Sequence, residues 1–293
     1  PGKNLWTLLH SAFIICKGSP LRAKKFWWLM SPNNYFYQNS DQTGRTVALL
    51  HKPKRIVSTV PSITELLCDI GLNEQLVGRT KFCDSPQELV QSIPAFGGTK
   101  NLRVSDIIRL NPDLLISNKE ENTASDIFQL SEHIPVWVSD IHDLNSAIYA
   151  INEIGTLCGV QDKTTHLTSD IIKRAADYSN IPPSINKRAC YLIWKNPFMT
   201  VGSDTFIHHM MSIAGFDNIF GDCQRYPVTD INEIVNRSPE VILLSSEPYP
   251  FKDSDQLLFE GIKTIFVNGK AFSWYGSRIA QSFSYFCHLN SLL

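Results

Sequence analysis

VSDIIRLNPDLLISN (Val104–Asn118) and INEIVNRSPEVILLS (Ile231–Ser245) are the stretches on which the reading of the fold turns. Each opens as a short apolar-periodic helix and breaks at a proline followed by an acid, Pro112-Asp113 in one and Pro239-Glu240 in the other. Each then closes as an apolar run of strand length. Proline ending a helix before a strand is common, because it excludes the residue before it from helical backbone. The pair gains weight from a second recurrence in the same order. ITELLCDIGLNEQLVG (Ile63–Gly78) and FIHHMMSIAGFDNIFG (Phe206–Gly221) share an apolar helix, a glycine, and an acid-and-amide turn before a strand. Two different segments repeated in one order predict two similar α/β lobes, residues 54–158 and 187–293.

Working outward, Arg55–Val60 reads as a first strand, followed by a helix with Ser62 as N-cap, Glu65 three residues on and Gly71 as its stop. Gln75–Arg79 and Pro135–Val138 read as further strands, and Leu144, Ala147, Ile148, Ile151, Ile154 and Leu157 recur at helical spacing. Between the lobes, residues 159–186 read as one long helix. Leu167, Ile171, Ala175 and Tyr178 share its face, and Pro182-Pro183 ends it. A helix is a stiff connection, and two lobes joined by one leave a ligand cleft outside the carboxyl ends of their strands. Residues 1–53 form an N-terminal extension with an edge strand near 45–50.

The 293 residues are 43% hydrophobic and 19% charged, with a formal net charge of −1. That balance excludes nucleic acid as a partner, since phosphate binding needs a basic footprint. The seven cysteines form no C-x-x-C pair and read as structural thiols. Leu5–Cys16 is too short to span a bilayer, which takes about 20 apolar residues. As a signal segment it is interrupted by His10, and its basic cluster (Arg22, Lys24, Lys25) lies on the wrong side. Ile15 is too large for a lipoprotein cleavage site before Cys16, and Met30 is an alternative start.

The strand-end loops carry the chemistry. They are VPSITE, RTKFCDSP, FGGTKN and NKEEN in the first lobe, then IWKNPFMTVGSDT, DCQRYPV, SSEPYPF and FSWYGSR in the second. Phe82, Trp194, Tyr226, Tyr249, Trp274 and Tyr275 place aromatic rings on both sets, a lining that suits a broad, flat, partly apolar ligand. FSWYGSR follows a strand (Thr264–Val267) and an Asn-Gly turn, so its rings are read as lining the cleft rim, with Gly276 and Ser277 leaving room. No G-x-S-x-G, H-E-x-x-H or Walker motif is present. His208 and His209 are adjacent on a helix and point apart, so no metal site is read there. Asp84 and Glu247 have no recognisable acid/base partner. The pattern is that of a binder, not an enzyme.

The segment RIVSTVPSITELLCDIGLNEQLVGRTKFCDSP (from Arg55), with FGGTKN, NPDLLISNKEEN and IPVWVSDI, resembles the helical-backbone class of ABC-importer substrate-binding proteins. Within that class the likeness is nearest to the vitamin B12 (cobalamin)-binding members, and it runs from Arg55 to Arg278. The resemblance implies an α/β fold of two Rossmann-like lobes, each a mostly parallel sheet flanked by helices, bridged by one long helix with the ligand cleft between. It implies cobalamin or a related corrinoid as transported ligand rather than resident cofactor, a monomer, an ABC permease and its ATPase as partners, and a periplasmic or membrane-associated location. Expected ligand contacts are Pro61, Ser62, Phe82, Trp194, Tyr226, Tyr249, Phe272, Trp274, Tyr275 and Arg278, the last also able to brace its loop. Expected permease-docking carboxylates are Glu120 and Glu121 in one lobe and Glu233, Glu240 and Glu247 in the other. The same class includes haem and ferric siderophore binders, for which Arg79, Lys81, Lys100, Lys119 and Lys195 supply positive charge. Two further readings stand beside it. One is a cytoplasmic corrinoid-handling protein. The other is a two-lobed metal-containing enzyme using Cys83 and Cys223.

Overall fold

The computed structural model describes residues 35–180 and 186–293. The apolar stretch Leu5–Cys16, the basic cluster after it, Met30 and the Pro182-Pro183 stop lie outside the described residues. The chain divides into two compact units: residues up to Asp140 with Thr156–Gly159, and Ile141–Gly155 with Val160–Leu293.

The first unit begins with an antiparallel hairpin, β1 (Tyr37–Ser40) and β2 (Thr46–Leu49). There follow β3 (Ile56–Ser58), α1 (Pro61–Asp69), β4 (Leu76–Arg79), α2 (Gln87–Val90), β5 (Gly97–Gly98), β6 (Asn101–Leu102), α3 (Val104–Arg109), β7 (Leu114–Asn118), α4 (Ala124–Ser131) and β8 (Val136–Ser139). Its main sheet is parallel, in the order β4-β3-β7-β8. The second unit holds α5 (Leu144–Leu157) as far as Gly155, α6 (Gln161–Ser179), β9 (Lys187–Leu192), β10 (Phe198–Met199), α7 (Phe206–Ile213), β11 (Phe216–Asn218) and β12 (Val228–Thr229). It continues with α8 (Ile231–Asn236), β13 (Val241–Ser245), α9 (Asp253–Gln256), β14 (Lys263–Val267), α10 (Gly269–Ser273) and α11 (Ile279–Ser291). Its parallel sheet runs β11-β9-β13-β14. In both units the order is second, first, third, fourth strand.

Strands β7 and β13 are buried along their whole length, as helix-covered parallel strands must be, and this is why both read as unbroken apolar runs. Leu115, Val136 and Val138 pack with Ile107, Ile127 and Leu130 in the first unit. Leu192, Ile242 and Leu244 pack with Phe220, Ile234 and Phe259 in the second.

The repeated proline-acid pair has a repeated job. Asn111 (φ 49°) and Ser238 (φ 54°) turn the chain out of α3 and α8 in left-handed conformation. Asp113 Oδ2 then accepts from the Lys54 and Arg55 amides (2.8 and 2.9 Å), and Glu240 Oε2 from the Arg188 amide (3.0 Å). In return the Arg55 guanidinium donates to the Leu110 and Asn111 carbonyls, and Arg188 to those of Arg237 and Ser238. Each bolt fastens a helix end to the start of two strands, and satisfies carbonyls that a helix C-terminus leaves open.

Two local expectations are corrected. Ser62 is not the N-cap of α1: Val60 occupies that place in extended conformation and Pro61 is the first helical residue, where its missing N–H costs nothing. Ser62 lies buried inside the first turn, while Thr64 Oγ1 donates to Ser58 Oγ and the Val60 carbonyl. Asn268-Gly269 is not a free turn either. Asn268 is the N-cap of α10, its side chain accepting from the Lys270 amide. Gly71 does end α1, with φ 74°. The long helix α6 packs on α11 of its own unit, Tyr178 lying 5.9 and 6.3 Å from Phe283 and Phe286 and accepting from Asn290 Nδ2.

Candidate binding surfaces at the strand ends

In each sheet the first and third strands lie side by side and their connections leave in opposite directions, which opens a crevice at their carboxyl ends. In the first unit those ends are Thr59 after β3 and Asn118–Asn122 after β7. Asn122 Oδ1 accepts from Thr59 Oγ1 (2.9 Å) and the Asn118 amide (3.0 Å), while its Nδ2 donates to the carbonyls of Thr59 and Thr99. Asn118 Nδ2 donates to the Ser139 carbonyl and hydroxyl, and its Oδ1 accepts from the Glu120 and Glu121 amides. The two carboxamides clamp the ends of β3, β7 and β8 and the β5–β6 loop. Beside them Pro61 is half-buried and Phe82 is 52% exposed, its ring under Lys81 Nζ at 4.9 Å. A Cβ on Gly98 would stand 3.1 Å from that ring, so the glycine lets Phe82 approach its loop closely.

In the second unit the matching loops bring Trp194, after β9, against Tyr249, after β13, edge to face with centroids 5.6 Å apart. Phe251 continues the cluster at 4.8 Å from Tyr249. Trp194 remains 40% exposed. Lys195 Nζ is paired with the buried Asp255. Burial pushes the Asp255 carboxyl up, but the Lys195 hydrogen bond, the Lys252 amide and the charges of both lysines together outweigh it, and the net shift is downward. The same bond raises Lys195. The loop of residues 222–228 is bonded to 200–204 by the Thr200, Gly202 and Ser203 amides, and Arg225 lies over the half-buried Tyr226 ring at 5.7 Å.

FSWYGSR divides. Phe272 is completely buried, 5.2 Å from Tyr191 and 4.9 Å from Phe286, so this ring fills the core instead of lining a rim. Tyr275 is buried edge-on against Phe206 at 5.9 Å. Trp274 is 7% exposed, with Lys270 Nζ and Arg278 over its ring at 4.3 and 5.1 Å. Its Nε1 donates to Glu247 Oε1 at 2.7 Å.

Lys81 lies over the Phe82 ring, and the other four candidate cations are hydrogen-bonded or paired. Arg79 donates to the carbonyls of Val90, Ile93 and Thr80, Lys100 to that of Glu120, and Lys119 pairs with Asp140 at 2.6 Å. Among the carboxylates, Glu240 sits at the amino end of β13 in the bolt described above, and Glu233 accepts from Thr229 Oγ1 and Arg237. Glu120 and Glu121 are half-buried at the end of β7. His208 lies 3.1 Å from the Asn218 carboxamide, and burial lowers the pKa of both His208 and His209. Cys83 is buried against Thr80 Oγ1, and burial raises both its thiol and that of half-buried Cys223. Among the described residues no three His, Cys, Asp or Glu side chains converge as metal ligands, and no helix is long and apolar enough to cross a membrane.

Sequence reasoning found the aromatic loops but not the Thr59-Asn118-Asn122 clamp or Asp255. The available signal for the clamp was polar residues closing an otherwise apolar strand, LLISNKEEN.

Residues 56–268 match the periplasmic binding protein family. An uncharacterized ABC transporter substrate-binding lipoprotein of Bacillus subtilis is 27% identical over 214 residues, 69% of this chain and 67% of its own. A vitamin B12-binding protein of Pectobacterium carotovorum is 23% identical over 243 residues, 80% and 87% of the two chains. Among solved structures, the periplasmic vitamin B12 binding protein of Vibrio cholerae superposes with a TM-score of 0.70 at 18% identity, over 82% of this chain and 98% of that one. A periplasmic heme-binding protein of Roseiflexus sp. RS-1 gives 0.72 at 18%, over 81% and 98%. The fold is theirs, and with the match spanning most of its length the chain belongs to the periplasmic binding protein family.

Proposed function

We propose that this chain is the substrate-binding protein of an ABC importer, that it binds cobalamin or a related corrinoid without performing chemistry on it, and that it delivers the ligand to a permease. The observation that carries the ligand class is the combination of exposed rings with candidate cations of which four in five are already engaged. Phe82 and Trp194 offer aromatic surface at strand ends, with Tyr249 and Tyr226 beside or near them. Arg79, Lys100, Lys119 and Lys195 already hold carbonyls or carboxylates. A ligand with several carboxylates, such as haem or an anionic ferric siderophore, asks for cations free to pair with it. A broad macrocycle edged by neutral amides asks for apolar faces and hydrogen-bonding loops. Relatives named for vitamin B12 support the same choice. By family, the working location is periplasmic or membrane-anchored, and Glu120, Glu121 and Glu233 are the proposed docking carboxylates.

Trp194→Ala and Tyr249→Ala should each weaken cyanocobalamin binding by about 1–4 kcal/mol, in the manner of interface anchors. Calorimetric titration of the folded variants checks this, and unchanged affinity in both would remove these rings from the site. Tighter binding of haem or a ferric siderophore than of cyanocobalamin would keep the family role and change the ligand.

A further inference from the structure

We infer that Glu247 is a positioning residue whose carboxylate holds the Trp274 indole and ties the loop bearing Tyr249 to the segment bearing Arg278. Its consequence for ligand affinity rests on the function proposed above; its local part does not.

Glu247 Oε1 accepts two hydrogen bonds from one short segment, from Trp274 Nε1 at 2.7 Å and from Ser273 Oγ at 3.0 Å. The approach is close enough to dictate the neighbouring residue. A Cβ on Gly269 would fall 2.6 Å from Glu247 Cγ and 2.5 Å from Ser245 Oγ, so only glycine at the start of α10 lets the carboxylate reach the indole. The backbone is fastened on the same side: Ser245 Oγ donates to the Glu247 carbonyl at 2.6 Å, and the Gly269 amide to Ser246 Oγ at 3.0 Å.

Charge gives the carboxylate a second purpose. Lys270 and Arg278 both lie over the Trp274 ring, so a carboxylate on that indole adds opposite charge where two cations meet. Glu247 places that charge on the ring's own N–H. Its neighbours carry the effect onward. Tyr249 stands between Pro248 and Pro250, whose rings fix the backbone on either side, so anchoring Glu247 fixes where Tyr249 meets Trp194. A half-buried carboxylate turned inward onto an indole is a brace, which separates Glu247 from the docking carboxylates expected on the second unit.

The test uses Glu247→Gln in the full chain, with Glu247→Ala as a second variant. In ¹H–¹⁵N spectra the Trp274 indole N–H, assigned by its loss in Trp274→Phe, should move upfield in Glu247→Gln as the charged acceptor is replaced by a neutral amide, with the melting temperature little changed. Cyanocobalamin affinity should fall about tenfold, the scale of a charge-assisted hydrogen bond. On a Trp274→Phe background Glu247→Gln should cost clearly less than on the wild type, because the indole contact is already gone and only the Ser273 bond remains to be weakened. An indole resonance that stays in place, or a loss of affinity as large on the Trp274→Phe background as on the wild type, would overturn the inference. If the wild type binds no cyanocobalamin, haem or siderophore, the proposed function fails, and the resonance alone decides the role of Glu247.

Discussion

Asn122 shows how much one carboxamide decides. Both of its polar atoms are engaged, each with two partners, and the residue is buried. Replacing it by alanine leaves the Thr59 and Thr99 carbonyls and the Asn118 amide without this partner. A buried group stripped of its hydrogen bond costs about 1–3 kcal/mol. We therefore expect Asn122→Ala to lower the unfolding free energy by that amount in urea titration, and to loosen the loop that positions Glu120 and Glu121. A variant as stable as the wild type would show that water replaces the amide freely. The same scale explains why FSWYGSR was only half legible. Three rings in seven residues announce a contact cluster, but nothing in the spacing tells that all three turn inward. Tyr191 and Phe286 decide that for Phe272, and they come from β9 and α11, distant in sequence.

At the scale of elements, the two proline-acid bolts were the most readable feature, and the physical reason is that both strands that follow are buried on two faces. Periodicity located the elements; it did not explain the acid. Asp113 and Glu240 accept amides at strand starts, at the opposite end of each sheet from the aromatic loops. Asp113→Ala and Glu240→Ala should each destabilise by about 0.5–1.5 kcal/mol, a modest figure because both sites are exposed. Ligand affinity should not change in either. A Glu240→Ala protein of wild-type stability that binds its permease poorly would return that residue to the docking set. Ser62 and Asn268 were misread for a related reason: cap residues are chosen by backbone geometry, and Pro61 at the first helical position moves the cap to Val60.

At the scale of the molecule, both units carry one strand order, so the family's architecture rests on a duplicated plan rather than on any single motif. One consequence reaches overall stability. His208 and His209 are held below their ordinary value of 6.5 by burial, so the unfolded chain binds more protons once the pH drops beneath it. Their contribution is complete above about pH 6.5 and is lost as pH falls through the lower folded values. Melting temperature should decline on acidification through that window, and His209→Asn should flatten the decline. An unchanged slope in the variant would assign the decline to other groups.

The central claim is that this chain carries a corrinoid. Calorimetric titration of the purified protein with cyanocobalamin tests it most directly. The account predicts one-to-one binding in the nanomolar to low-micromolar range, about −8 to −12 kcal/mol. No heat with cyanocobalamin at high micromolar protein, from a sample that melts cooperatively, would contradict it.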